Sequence, residues 1–293
     1  TAAPGFGGAD LDVESAVYAG YAFTDARLRA RQVDEDWLVD LKSDEARGQI
    51  RIPVNVGAGE PIHVRYDWID LGLLARQSEA GDDEAAGPQG QGEDALDAID
   101  PARVPPLDVQ VGRLKTRNAL LNDITLVTRP SSEGMTIHRL GFDNGDLRLE
   151  GQGQWRDRPR NRTSLRMNLR GSDFGSGLSE LGYGGALVGG EGKVTASLDW
   201  DGPPWSPTFG GLGGYTQLRL QDGLIPEVDP GPARLLGLVS LRALPQMLSL
   251  DFGNLVQRGY AFDTISGRVD FDAGNAFSRG LEVDGPAGKM IIT

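Results

Sequence analysis

Strict period-two alternation constrains this chain more than any other feature. In the run 162–170, Thr163, Leu165, Met167 and Leu169 fall on one parity, and Arg162, Ser164, Arg166, Asn168 and Arg170 fall on the other. Successive strand side chains point to opposite faces, so such a run makes one apolar and one polar face. The pattern recurs along the chain. Val194, Ala196, Leu198 and Trp200 alternate with Thr195, Ser197 and Asp199. Ile50, Ile52, Val54 and Val56 alternate with Arg51, Pro53 and Asn55, and Ile62, Val64, Tyr66 and Trp68 with His63, Arg65 and Asp67. Leu107, Val109 and Val111 repeat it, as do the pairs Leu147 and Leu149, Leu218 and Leu220, Val269 and Phe271, and Leu281 and Val283. Turn residues bound these runs, as in Asp143-Asn144-Gly145-Asp146 and Asp272-Ala273-Gly274-Asn275. The reading is a mainly β chain with on the order of a dozen strands, mostly antiparallel because the connections are short.

Helical signal is sparse. Ser172 to Gly182 predicts a short helix, with Ser172 or Asp173 as N-cap and Gly182 as the stop. Pro230 to Leu244 predicts a second, with Leu235, Leu236, Leu238, Val239, Leu241 and Leu244 as its apolar set; it either plugs the end of the β core or contacts a membrane surface. Two short helices do not cover the apolar face of so many strands. That face needs a second sheet, barrel closure or a ligand. Few of the apolar positions are large aromatics that would fill a thick core, and Gly151, Gly153, Gly192 and Gly267 lie on or beside strands, where glycine permits bending. Both features suit a curved sheet.

Charge and composition narrow the function. The formal charge is −13, which argues against a nucleic-acid binder. Eight acids and one base lie between Gln77 and Pro106, a stretch rich in Gly and poor in large apolar residues. It reads as an acidic flexible loop, a solvated insertion or docking tail, dividing the chain into segments 1–76, 77–106 and 107–293. With no Cys and two separated His, the chain lacks the residues for a disulfide framework, a thiol nucleophile or a Cys/His zinc site. No stretch reaches the roughly 20 apolar residues that span a bilayer. The chain has no initiator Met or signal-like start, and it ends on the strand-like run 289–293, so we expect a piece of a longer protein.

Motifs for catalysis are missing. There is no Gly-x-Ser-x-Gly elbow or phosphate-binding loop, and the Gly-rich stretch 182–187 fails the dinucleotide spacing at Leu187. His63 and His138 read as surface histidines, and the Asp-Phe-Asp and Asp-Trp-Asp runs at 270–272 and 199–201 as turn-flanking acids rather than calcium ligands. Trp155 and Trp200 read as anchors at strand ends, with carbohydrate stacking as the sharper alternative. Neither an enzyme nor a cofactor is expected.

From about Asp146 onward the order of features carries a resemblance. Gly151-Gln152-Gly153-Gln154-Trp155, Ser172-Asp173-Phe174-Gly175, Leu198-Asp199-Trp200-Asp201-Gly202-Pro203, the run 230–245 and Gly259-Tyr260-Ala261-Phe262-Asp263 follow one another. The set resembles the C-terminal part of proteins in the AsmA-like family of Gram-negative envelope proteins. The resemblance implies a taco-shaped groove in a long curved sheet, lined by the period-two apolar positions named above. It implies glycerophospholipid passage between inner and outer membranes, in support of outer-membrane integrity. The location implied is the periplasm, as part of an inner-membrane-anchored protein, with phospholipid as ligand and membrane surface or envelope proteins as partners at the ends. We expect this piece to be monomeric. A closed β-sandwich binding module and a structural spacer of the envelope are the alternatives.

Overall fold

The computed structural model describes residues 7–18, 21–56, 59–72, 99–226 and 259–292. Fifteen strands among them form one open sheet, hydrogen-bonded in chain order. They are β1 (Gly8–Tyr18), β2 (Tyr21–Val33), β3 (Asp36–Lys42), β4 (Ala46–Ile52), β5 (Ile62–Asp70), β6 (Leu107–Lys115), β7 (Leu120–Ser131), β8 (Gly134–Asp143), β9 (Leu147–Arg156), β10 (Arg162–Gly171), β11 (Val188–Asp201), β12 (Gly213–Ile225), β13 (Tyr260–Asp272), β14 (Asn275–Gly285) and β15 (Gly288–Ile292). The mainly β expectation holds, with more strands than the alternation alone revealed. β5 and β6 pair in parallel, unlike the antiparallel pairs on either side. A parallel pair needs a long crossover, and the connection 71–106 supplies the length. Most of the predicted acidic loop (77–98) and the whole predicted helix at 230–244 lie outside the described residues. The chain forms two compact units, 1–140 and 141–293.

In the first unit the two faces of the sheet differ sharply in chemistry. One carries apolar rows that cross the strands. Ala9, Ala30, Val39, Ile50, Val64, Val109 and Leu126 are successive cross-strand partners. Leu11, Leu28, Leu41, Gly48, Tyr66, Val111 and Ile124 form the next row. The other face carries complementary charges. Arg29 pairs with Asp10 at 2.8 Å, Arg27 with Asp12, Arg31 with Asp40 at 3.5 Å and Arg51 with Asp36 at 2.5 Å. Gln49 Nε2 donates to Asp40 Oδ1 at 2.6 Å, and Arg65 donates to Gln110. Exposed pairs of this kind are worth about 0–1 kcal/mol each. Their larger effect is on register, because a one-residue slip would turn these charges onto the apolar face.

The alternation changes phase once in this unit. Asp25 and Asp123 adopt φ of 47° and 48°, and the β4–β5 register shifts between Arg47 and Gly48. A bulge sets two residues of one strand opposite one of its partner. The apolar row therefore resumes at Ala46, Ile69, Leu114 and Leu121. Trp68, expected on the apolar parity, instead pairs with Arg47 and Arg113 in a charged row. Glu45 is fully buried beside this shift; Thr24 N–H donates to both of its carboxylate oxygens, at 3.2 and 3.0 Å.

The second unit holds a buried apolar cluster, built on Leu147, Phe174, Leu220, Phe262, Ile265, Leu281 and Val283. Helix α1 (Phe174–Glu180) packs there against β9 and β11. It falls within the predicted helix, and Asp173 is its N-cap, accepting from Ser176 N–H at 2.9 Å. The chain leaves the helix through Gly182 at φ 87°, as the stop signal required. Gly177 sets how closely helix and sheet approach: a Cβ there would lie 2.2 Å from Leu147 Cγ. Gly214 does the same between strands. Its φ is 107°, and a Cβ would lie 2.0 Å from the Ser197 carbonyl oxygen on the neighbouring strand. No side chain other than hydrogen fits there.

Candidate functional site

The cross-strand registers of the second unit resolve its apolar face into parallel rows. Leu147, Gly171, Gly192, Leu220, Ile265, Val283 and Met290 form the first. Leu149, Leu169, Val194, Leu218 and Gly267 form the second. Gly151, Met167, Ala196, Thr216 and Val269 form the third, and Gly153, Leu165, Leu198, Gly214 and Phe271 the fourth. Trp155, Thr163 and Trp200 end the face. Phe174 and Leu178 of α1, with Leu181 and Leu187 after it, close the Leu147 end. Among the described residues no second sheet lies over the remaining rows.

The far end is built differently. Trp155 and Trp200 are buried, and both satisfy their indole N–H locally: Trp155 donates to Asn161 Oδ1 at 2.8 Å and Trp200 to the Pro203 carbonyl at 2.9 Å. Thr163, also buried, donates to the Gly202 carbonyl at 2.7 Å. These bonds tie the two flanking connections to the sheet, which is the anchoring role expected of the tryptophans. Trp205 meets Trp155 edge-on, with ring centroids 4.9 Å apart.

The predicted lining positions sort by burial. Leu147, Leu165, Leu220, Val269, Phe271, Leu281 and Val283 are buried, whereas Leu149, Met167, Leu169, Val194, Ala196, Leu198 and Leu218 are half-buried on the same face. In the first unit only Val111 is buried, at 7% exposure; Ile50, Ile52, Ile62, Val64, Tyr66, Leu107 and Val109 all keep substantial exposure. Burial nonetheless pushes the Tyr66 phenol pKa upward, consistent with its place in an apolar row. Val54 is corrected. It lies in a turn and is 57% exposed. The strand ends at Ile52 because Pro53 has no N–H for the ladder, and Val54 N–H donates instead to Asp36 Oδ1 at 3.3 Å. Leu235, Leu236, Leu238, Val239, Leu241 and Leu244 lie outside the described residues.

Among the described residues, titratable groups do not converge on the apolar face. His63 lies on the charged face, 3.7 Å from Asp108, and His138 is exposed. Among the described residues no group of three His, Cys, Asp or Glu is placed to hold a metal ion, and no helix is long and apolar enough to cross a membrane.

A family model described as "YhdP protein" matches residues 1–293. The chain is also similar to a protein of Escherichia coli (strain K12) named intermembrane phospholipid transporter YhdP, with 33% identity over 146 residues. That match covers 49% of this chain and 11% of the Escherichia coli protein, so the aligned part spans about a tenth of the relative's length. No solved structure matches the chain significantly.

Proposed function

The chain belongs to the YhdP protein family, and from that membership we propose that its apolar sheet face receives the acyl chains of phospholipids in transit between the two membranes of a Gram-negative envelope. The observation that carries this reading is the set of in-register apolar rows with no covering sheet among the described residues. A sixteen-carbon chain exposed to water costs about 12 kcal/mol, at roughly 0.8 kcal/mol per methylene. An apolar face recovers much of that cost and needs no specific polar contact. The dimensions support the same reading. Six residues separate the Leu149 and Trp155 positions on β9, a distance of about 20 Å at a strand's rise. Half of a bilayer's hydrocarbon core, the depth of one acyl chain, is about 15 Å. The ion-paired opposite face suits contact with water.

The piece works as part of a longer periplasmic protein anchored elsewhere in the inner membrane, with the segments 1–76 and 107–293 each contributing apolar sheet face. Lipid is guided there rather than chemically changed. The lining consists of the half-buried and buried apolar positions described above, Val54 excepted. Solvent extraction of the purified protein followed by mass spectrometry tests the proposal. Phospholipid is expected in the extract, and Leu198→Asp is expected to remove most of it, because a carboxylate among acyl chains is costly to desolvate. Unchanged lipid content in Leu198→Asp would show that the face does not hold the chains.

A further inference from the structure

The end of the second unit's face that carries Trp155 is unlike the end closed by α1. The β9–β10 hairpin beyond it runs Arg156-Asp157-Arg158-Pro159-Arg160-Asn161-Arg162, four arginines and one acid in a chain whose net charge is −13. Arg162 is engaged by Asp199 and, at 3.5 Å, by Asp201. Arg158 and Arg160 are exposed on the turn, and among the described residues neither side chain has a partner. Two residues before this turn, Trp155 supports Trp205, a residue 46% exposed. The adjoining connection, Gly202 to Thr208, holds no charged side chain that would neutralise the arginines.

We infer that Arg158 and Arg160, with the exposed face of Trp205, receive the phosphate of a phospholipid headgroup at this rim of the second unit's apolar face. The inference rests on the acyl-chain reading above. An acyl chain lying along the strands has one apolar end to its path, under Phe174 and Leu178, and one basic, aromatic end. A phospholipid has the matching polarity, with an apolar terminus and a phosphodiester at its head. Guanidinium groups bind phosphate oxygens through charge-assisted hydrogen bonds, and an indole seats itself where apolar and wet surroundings meet. The hairpin thereby orients the lipid, with its head at the Trp155 end and its tail toward α1.

Two amphiphiles of equal chain length separate headgroup from tail. Calorimetric titration of the whole chain, below micelle concentrations, compares dodecylphosphocholine with dodecyl maltoside, which lacks phosphate. The wild type is expected to bind the phosphate-bearing amphiphile about tenfold more tightly. R158A/R160A is expected to abolish that preference while leaving dodecyl maltoside affinity unchanged, and R158K/R160K to keep most of it. Because both positions lie on an exposed turn, a matched unfolding curve for each variant checks that the fold is intact. No preference in the wild type, or a preference that survives in R158A/R160A, overturns the headgroup assignment and leaves the acyl-chain reading standing. Failure of both amphiphiles to bind the wild type overturns the acyl-chain reading and the headgroup assignment with it.

Discussion

Two leucines on the same face of the same unit separate an open apolar surface from a closed core. Leu147 has 0% exposure and lies under Phe174 and Gly177 of α1. Leu198, three rows away, is half-buried and has only the edges of Leu165 and the Gly214 backbone beside it in its row. Leu147→Ala leaves a cavity that the helix cannot collapse into without moving its backbone. It should cost about 3 kcal/mol, within the 2–5 kcal/mol range for enclosed leucines. Leu198→Ala removes methyl groups that already contact solvent. Half of a leucine's full transfer value, with no cavity term, gives about 1 kcal/mol or less. Urea unfolding followed by tryptophan fluorescence reads both values. With a slope of about 2.5 kcal/mol per molar, the midpoints should fall by about 1.2 M and at most about 0.4 M. Both residues lie in 141–293, so one unfolding transition reports on both. Equal losses would mean that Leu198 is enclosed, and the open-face reasoning would fail.

Substitutions at three further residues probe the parts that hold the face in place. Asp173 has its carboxyl pKa lowered chiefly by the Ser176 N–H bond and then by the Ser176 hydroxyl. A lowered folded-state value means that its stabilisation is complete above the unfolded value of about 4 and is lost as pH falls through the folded value. Asp173→Asn should keep the cap but flatten that acid dependence, and Asp173→Ala should cost about 1 kcal/mol at neutral pH; unfolding curves at pH 7 and pH 3 measure both. Glu45→Ala should cost about 2 kcal/mol in the same assay, because it strands the Thr24 N–H inside the sheet, and a neutral result would deny Glu45 a structural role. Gly214→Ala should cost more than the roughly 1–2 kcal/mol of a left-handed alanine, because its Cβ also meets the Ser197 carbonyl; loss of folded yield or a lowered melting temperature would register it.

Much of the face was legible in the alternation, because Leu165, Met167 and Leu169 need only the two-residue strand period to be assigned to one side. Asp173 and Gly182 were legible as helix signals because capping is local chemistry. Trp68 was not, because the phase shift opposite Arg47 and Gly48 depends on register between strands rather than on any one strand's pattern. Val54 continued an apolar parity past a proline that ends the ladder. β1 and β2 give a weak period-two signal because their apolar parity is largely alanine and leucine set among dense charges, such as Leu28 and Ala30 between Arg27, Arg29 and Arg31. The closure of the Leu147 end by α1 depends on the space left at Gly177, which the sequence does not display. The four arginines of 156–162 were visible in the sequence, but their place at the end of the face where Trp155 meets Trp205 comes from the hairpin register and the Trp155 contact.

The central claim is that one face of this sheet holds acyl chains and the other does not. Phospholipid bearing a photoreactive group midway along one acyl chain, loaded onto the protein, crosslinked and mapped by peptide mass spectrometry, tests it directly. The expected adducts fall on Leu165, Met167, Ala196 and Leu198, with the intervening Arg166 and Ser197 unlabelled. Labelling spread evenly over both parities of β10 and β11, or confined to Arg166 and Ser197, would contradict it.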